Sequence, residues 1–330
     1  MKRSLLAQRS ALFLLGILGV SAFVTLSGSF YMQEHALKAG GNPRGKNIEQ
    51  SYEYMQQTYP WIKEWMDSLQ QHKALHDTFI TAPDGKKLHA LYAPAPQATP
   101  NTAVIVHGYT DNAVRMMHIG YLYHHDLHFN ILLPDLRYSG LSEGTHLQMG
   151  WLDRKDVLLW MQVANKRFSL TSSTPTQMVV HGISMGGATT LCVSGKEQPK
   201  YVKCFVNDCG FTSAWEEFEG ELCKQFGLPA FPLLHTASLL TKWRYGWSFG
   251  EASAKSQTAK SKLPILFIHG DADTFVPTWM GDSLYAAKQH GYKEYWRVPN
   301  VGHALAYKIL PEEYTQKVRS FVRRFCIDND

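Results

Sequence analysis

Ser184 is the residue around which chemistry can be assembled. It stands within Gly182-Ile183-Ser184-Met185-Gly186, after the apolar run Met178-Val179-Val180 and before Gly187-Ala188-Thr189-Thr190. That order is strand composition, a tight turn, then a helix start. A serine on such a bend can project its hydroxyl at the top of a sheet. Glycine is needed on both flanks because neighbouring backbone must pass without meeting a Cβ. A serine hydroxyl is a weak nucleophile at neutral pH. It needs an imidazole to take its proton and a carboxylate to fix that imidazole's tautomer and stabilise its charged form. The chain offers both downstream: Asp271 and Asp273 in His269-Gly270-Asp271-Ala272-Asp273-Thr274-Phe275-Val276-Pro277, and His303 after Gly302.

Positioning these groups requires a particular scaffold. Strand patterns occur at 77–82, 87–93, 102–106, 129–133, 178–180, 202–207, 263–269 and 294–298. Helical patterns occur at 111–125, 150–168, 279–290 and 312–325. Several of the strands are apolar on both faces, which predicts a largely parallel sheet covered by helices on both sides. In such sheets ligands bind at the carboxyl ends of the strands. The residues ending the strands are His107-Gly108-Tyr109, Asp135, Ser184, Asp208, Asp273 and His303. They include a nucleophile, candidate acids and a base.

These motifs, in this order, resemble the α/β-hydrolase superfamily, and within it the exported or membrane-anchored bacterial serine hydrolases described as esterase-like or prolyl-oligopeptidase-like. The resemblance covers about residues 77–325 and implies an α/β-hydrolase fold with a catalytic triad of Ser184, Asp273 and His303. It favours Asp273, four residues before Pro277, over Asp271, which would serve the loop turn; Asp208 is a third candidate. It implies an oxyanion hole made by the backbone N–H groups of Met185 and Tyr109. Asp135-Leu136-Arg137-Tyr138-Ser139-Gly140 also resembles a family loop, read here as stabilised by an Asp–Arg pair. His107, His181 and His269 each precede glycine at a strand end and read as structural histidines lacking the acid partner offered to His303.

Composition bounds the rest. The 330 residues are 45% apolar and 18% charged, enough for a large core and too few charges for a disordered or coiled-coil chain. The net charge of +5 owes three charges to Lys2, Arg3 and Arg9, and the absence of a basic run speaks against nucleic acid. Those three residues precede an uncharged stretch, 10–33, with an apolar centre at 11–26. This reads as a signal peptide or an uncleaved membrane anchor over 1–30, placing the rest outside the cytoplasm and allowing membrane association through this segment. Val20-Ser21-Ala22 and Ser27-Gly28-Ser29 are candidate cleavage sites.

Residues 31–76 read as a linker, including Gly40-Gly41-Asn42-Pro43, and helices whose aromatics pack on the main domain. The hydrolase domain is expected over 77–330. An aromatic-rich insertion at about 211–262, carrying Trp215, Phe218, Phe226, Phe231, Trp243, Tyr245, Trp247 and Phe249, breaks the strand rhythm where the family places its cap. The five cysteines show no metal spacing and read as buried free thiols, with a Cys209–Cys223 bridge conceivable. No metal or organic cofactor is implied. The expected reaction is hydrolysis of carboxylic esters through an acyl-enzyme. A peptidase or amidase acting on short peptides, and an anchored binding protein without turnover, are the alternatives.

Overall fold

Apolar and β-branched runs form an eight-stranded sheet in the computed structural model of the chain, which describes residues 2–171 and 174–327. Side chains are described from residue 10 onward, so those of Lys2, Arg3 and Arg9 lie outside the described part. The strands are β1 (His76–Thr81), β2 (Lys87–Ala93), β3 (Asn101–Val106), β4 (Asn130–Pro134), β5 (Gln177–Ile183), β6 (Val202–Asp208), β7 (Ile265–Gly270) and β8 (Lys293–Val298). Their order across the sheet is β1-β2-β4-β3-β5-β6-β7-β8. β2 runs antiparallel to both β1 and β4, and the remaining pairs are parallel. The principal helices are α1 (Lys2–Lys38), α2 (Ile48–Thr58), α3 (Lys63–Gln71), α4 (Asp153–Phe168), α5 (Met185–Ser194), α6 (Ala214–Phe226), α7 (Leu233–Tyr245), α8 (Ala254–Thr258), α9 (Thr278–Ala287) and α10 (Pro311–Val322), with single helical turns at Pro43–Lys46, Met117–Tyr121 and Ala306–Ile309.

Alternation along the central strands supplies two cores. Val104 and Val106 of β3 meet Val157, Trp160 and Ala164 of α4 on one face. Ala103 and Ile105 meet Met55, Ile62 and Met66 near α2 and α3, with Val318 and Phe321 of α10, on the other. A strand buried on both faces has no polar side to show, which is why β3 is apolar from Ala103 to Val106 and β5 from Met178 to Val180.

Four expectations are modified. The segment at 111–125 is a 3₁₀ turn, one short α-helical turn and a π turn rather than one helix. Asn112 accepts from the Arg115 amide to start the 3₁₀ turn, and the segment is so buried that packing dictates its path. Residues 40–43 are an ordered corner, not a linker: the Asn42 side chain accepts from the Gly45 amide and donates to the Tyr138 carbonyl at 2.8 Å. Among the thiols, Cys192, Cys204, Cys209 and Cys326 are buried, but Cys223 is exposed on α6, and all five are free. Of the aromatics before β1, Tyr59 is buried and Tyr52 and Trp65 pack against the core, but Trp61 keeps 41% of its surface.

Helix α1 runs unbroken across residue 30. Residues 10–24 are exposed, and this helix is long and apolar enough to cross a membrane. From Gly28 onward it docks on the helices inserted between β6 and β7. Ser29 Oγ donates to the Leu233 carbonyl at 2.9 Å, Gln33 Nε2 donates to Thr241 Oγ1 at 2.7 Å, and Glu34 pairs with Arg244 at 2.7 Å. Leu37 is fully buried. Within the insertion, Trp247 and Phe249 are core residues, whereas Phe226, Phe231 and Trp243 are 55%, 71% and 82% exposed.

Candidate active site

Strand β5 hands over to α5 at Ser184, whose backbone sits at φ 57°, ψ −120°. A non-glycine residue in such a region costs about 1–3 kcal/mol and persists only where its surroundings hold it. Here the Ser184 amide donates to the carbonyl of Asp208 at the end of β6, at 2.8 Å. A Cβ on Gly186 would lie 2.1 Å from the Val106 carbonyl oxygen, and one on Gly182 2.0 Å from that of Gly186. The glycine pattern around the serine is therefore a demand of backbone approach.

His303 Nε2 lies 2.8 Å from Ser184 Oγ, and its Nδ1 lies 2.7 Å from Asp273 Oδ2. A carboxylate only accepts, so Nδ1 carries the proton and Nε2 is free to accept from the serine hydroxyl. Asp273 Oδ1 is engaged by the amides of Phe275 and Val276, each at 2.9 Å. Burial works to raise the Asp273 carboxyl, but hydrogen bonds and charge from His269 and His303 outweigh it and hold it down at about 2. The two loops are tied together: the Ala272 amide donates to the Val301 carbonyl at 3.1 Å, and the Asn300 amide donates to Asp271 Oδ1 at 2.6 Å. Asp271 thus braces the turn. Asp208 is buried and accepts from the Tyr314 hydroxyl at 2.9 Å; burial pushes its carboxyl up to about 6 against that hydrogen bond.

His107 and His181 have backbone or tyrosine partners on both ring nitrogens. His269 departs from the expectation. Its Nε2 donates to the Val276 carbonyl at 2.9 Å and also approaches Asp273 Oδ2 at 3.5 Å, so it does have an acid neighbour. The expected Asp135–Arg137 pair is absent as well. Arg137 pairs with Asp84 and Asp156. Asp135 instead accepts from His89 Nδ1 at 2.6 Å and from the amides of Ala113 and Leu141. The alternation of β2 puts His89 on the Asp135 side, a signal the local motif did not carry.

The turn after β3 lies against the serine: a Cβ on Gly108 would be 3.5 Å from Ser184 Cβ. Tyr109 follows it, and its hydroxyl donates to the Ala36 carbonyl of α1 at 2.7 Å. Met185 is the first residue of α5, so its amide has no carbonyl partner within the helix. Cys209 Sγ lies with Asp273 and His303 inside a 4.8 Å cluster. Burial raises that thiol well above its usual value, so it meets the other two as a neutral neighbour and a poor metal ligand.

Ser184 opens into a cavity of about 220 Å³ walled by α1, α6 and α7, with Met32, Ala36, Phe218, Leu222, Leu234 and Phe249 among its lining. Sequence reasoning placed no part of α1 here. It also missed Glu217, a buried lining residue whose Oε2 has no partner among the described residues. Burial, helped by the charges of Glu221 and Asp273, pushes its carboxyl up to about 8.

The sequence pattern of the prolyl oligopeptidase family matches residues 129–326. The uncharacterized protein YqkD of Bacillus subtilis is 31% identical over 234 residues, covering 70% of this chain and 74% of that one. The uncharacterized protein YfhR of Escherichia coli K12 is 26% identical, covering 63% of this chain and 66% of its own length. Among solved structures, the Pyrococcus furiosus esterase Pf2001 superposes with a TM-score of 0.60 at 20% identity, over 78% of this chain and 95% of that one. Acetyl xylan esterase 1 from Thermoanaerobacterium gives 0.54 at 18% identity, over 76% and 83%.

Proposed function

This chain belongs to the prolyl oligopeptidase family and is a serine hydrolase of the α/β-hydrolase superfamily; from that premise we propose that it hydrolyses carboxylic esters through an acyl-enzyme on Ser184. The observation that carries the reading is the pair of hydrogen bonds, 2.8 and 2.7 Å, that joins Ser184, His303 and Asp273 at the edge of an apolar cavity.

Ser184 Oγ attacks the ester carbonyl while its proton passes to His303 Nε2. The oxyanion that forms is met by the amides of Met185 and Tyr109. Such donors are each worth about 10²–10³ in rate. Collapse expels the alcohol, which takes the proton from His303, and leaves the acyl group on Ser184. Water then attacks, giving its proton to His303; collapse expels Ser184 Oγ, which takes that proton back from Nε2, and the acid departs. Asp273 keeps Nδ1 protonated throughout and stabilises the imidazolium. The insertion at 211–262 acts as the cap, and its apolar lining favours an acyl group over a peptide, which would require polar partners for its backbone. Helix α1 serves as a membrane anchor, with the basic residues before it on the cytoplasmic side.

The family membership favours a second reading, a peptidase or amidase acting on short peptides. A fluorophosphonate probe is expected to label the protein and to fail on Ser184→Ala. A series of p-nitrophenyl acyl esters is expected to be turned over ahead of aminoacyl-anilides. Cleavage of the anilides alone would overturn the esterase reading.

A further inference from the structure

The exposed part of α1 ends just short of a bilayer's hydrocarbon thickness. From Ser10 to Ser27 every residue is exposed except the half-buried Thr25, about 27 Å of helix at 1.5 Å per residue. A hydrocarbon core is about 30 Å thick and takes about 20 residues. Counted from Ser10, just past the charge of Arg9, the far boundary falls near Ser29. Yet at Gly28 and Ser29 the helix is already packed on α7: a Cβ on Gly28 would be 3.0 Å from Leu233 Cδ2, and Ser29 bonds the Leu233 carbonyl. A spanning α1 therefore draws the start of α7, and the loop leading into it, into the membrane.

That loop is built for such a place. Phe226-Gly227-Leu228-Pro229-Ala230-Phe231 contains no charge. Phe226, Leu228 and Phe231 are 55%, 41% and 71% exposed. Further along α7, Leu239 is 71% and Trp243 82% exposed, beside Lys242 and Arg244. Leu239 and Trp243 stand about 9 and 15 Å beyond Leu233 along the helix, outside the hydrocarbon, and Lys242 and Arg244 there pair with Glu251 and Glu34. Contacts pair Ser29 with Leu233, Gln33 with Thr241 and Glu34 with Arg244, so α7 rises parallel to α1 and leaves the membrane as α1 does.

From this we infer that the loop 226–231 is a bilayer-contact surface continuous with α1, and that the substrate is an acyl lipid reaching Ser184 from the bilayer. The cavity supports this path. Its walls include Tyr31 and Phe226, both also exposed, at the junction of the span and the loop. An acyl chain moving along α1 from the lipid passes these two rings into the cavity without crossing water, so no apolar area is exposed on the way. The inference rests on the serine-hydrolase reading of Ser184.

The full chain is reconstituted into vesicles of phosphatidylethanolamine and phosphatidylglycerol and given either a fluorogenic long-chain acyl ester dissolved in the bilayer or p-nitrophenyl acetate in the water. The variant Leu228→Glu/Phe231→Glu alters exposed loop residues outside the cavity. It is expected to lose about tenfold or more on the bilayer ester, a charge at this depth being costly, while p-nitrophenyl acetate turnover is unchanged. Wild-type turnover of both overturns the inference. With nine tryptophans in the chain, contact is read instead from a bimane on Leu228→Cys in a Cys223→Ser background. Quenching by brominated lipid with protection from aqueous iodide supports the surface, and the reverse overturns it. This readout also decides if the double variant loses both activities. Absence of turnover on either substrate, with no fluorophosphonate labelling, would instead strike the reading of Ser184 and leave the quenching result standing.

Discussion

Asp273 and Glu217 are two buried carboxyl groups near one serine, and their surroundings drive them in opposite directions. Asp273, despite its burial, is ionised by two imidazoles and two amides, and the His303 tautomer depends on it. Asp273→Asn presents an N–H where an acceptor is required, so the proton moves to Nε2 and the serine loses its base. A fall in kcat on the order of 10⁴ is expected on a soluble ester; a variant within tenfold of wild type would remove Asp273 from the relay. Glu217 has no such partners, and its value of about 8 against an ordinary 4.5 means that it stays protonated in the folded protein. Across that window the folded state holds a proton the unfolded chain has released. Stability from this group is therefore full below pH 4.5 and declines as pH rises toward 8, by at most about 1.4 kcal/mol per unit. Glu217→Gln is expected to raise Tm relative to wild type at pH 8 and to lose that advantage at pH 5. Melting curves that stay parallel over this range would show that Glu217 is not held neutral.

The elements that carry the site were the legible ones, because their periodicity and their function coincide. The run before Ser184 had to be an apolar strand, and the glycines around it had to admit the Val106 and Gly186 carbonyls. The strand β2 falls on the expected residues, and β8 within one residue of them. The order of serine, acid and histidine read from three motifs is the order in which the structure brings Ser184, Asp273 and His303 together. What escaped was set by distance along the chain. The partner of His89 lies 46 residues away, and that of Ser29 lies 204 residues away. The segment 111–125 escaped for another reason: its turns follow the packing around them rather than their own hydrogen bonding. The aromatics of the insertion divide into two sets, and Trp247 and Phe249 are buried. Phe226, Phe231 and Trp243 instead face outward, a distinction composition cannot make without the helix faces.

For the molecule as a whole, α1 is both a candidate anchor and part of the hydrolase body. Met32 and Ala36 line the cavity, Leu37 is fully buried, and the Tyr109 hydroxyl is tied to the Ala36 carbonyl. Removal at Ser27-Gly28-Ser29 would cut through packed helix, whereas a break after Val20-Ser21-Ala22 would spare every one of these contacts. A chain beginning at Thr25 is therefore expected to keep both its stability and its preference among acyl esters. A chain beginning at Pro43 loses the α1 wall and the packing of Leu37, the latter alone about 3 kcal/mol. Its Tm is expected to fall by at least about 6 °C at this size. Labelling of Ser184 survives in both, since Ser184, His303 and Asp273 make no contact with α1 in their hydrogen bonds. The discrimination between short and long acyl chains belongs to the first alone. Equal chain-length profiles for the two would show that α1 only covers the cavity and does not shape what enters it.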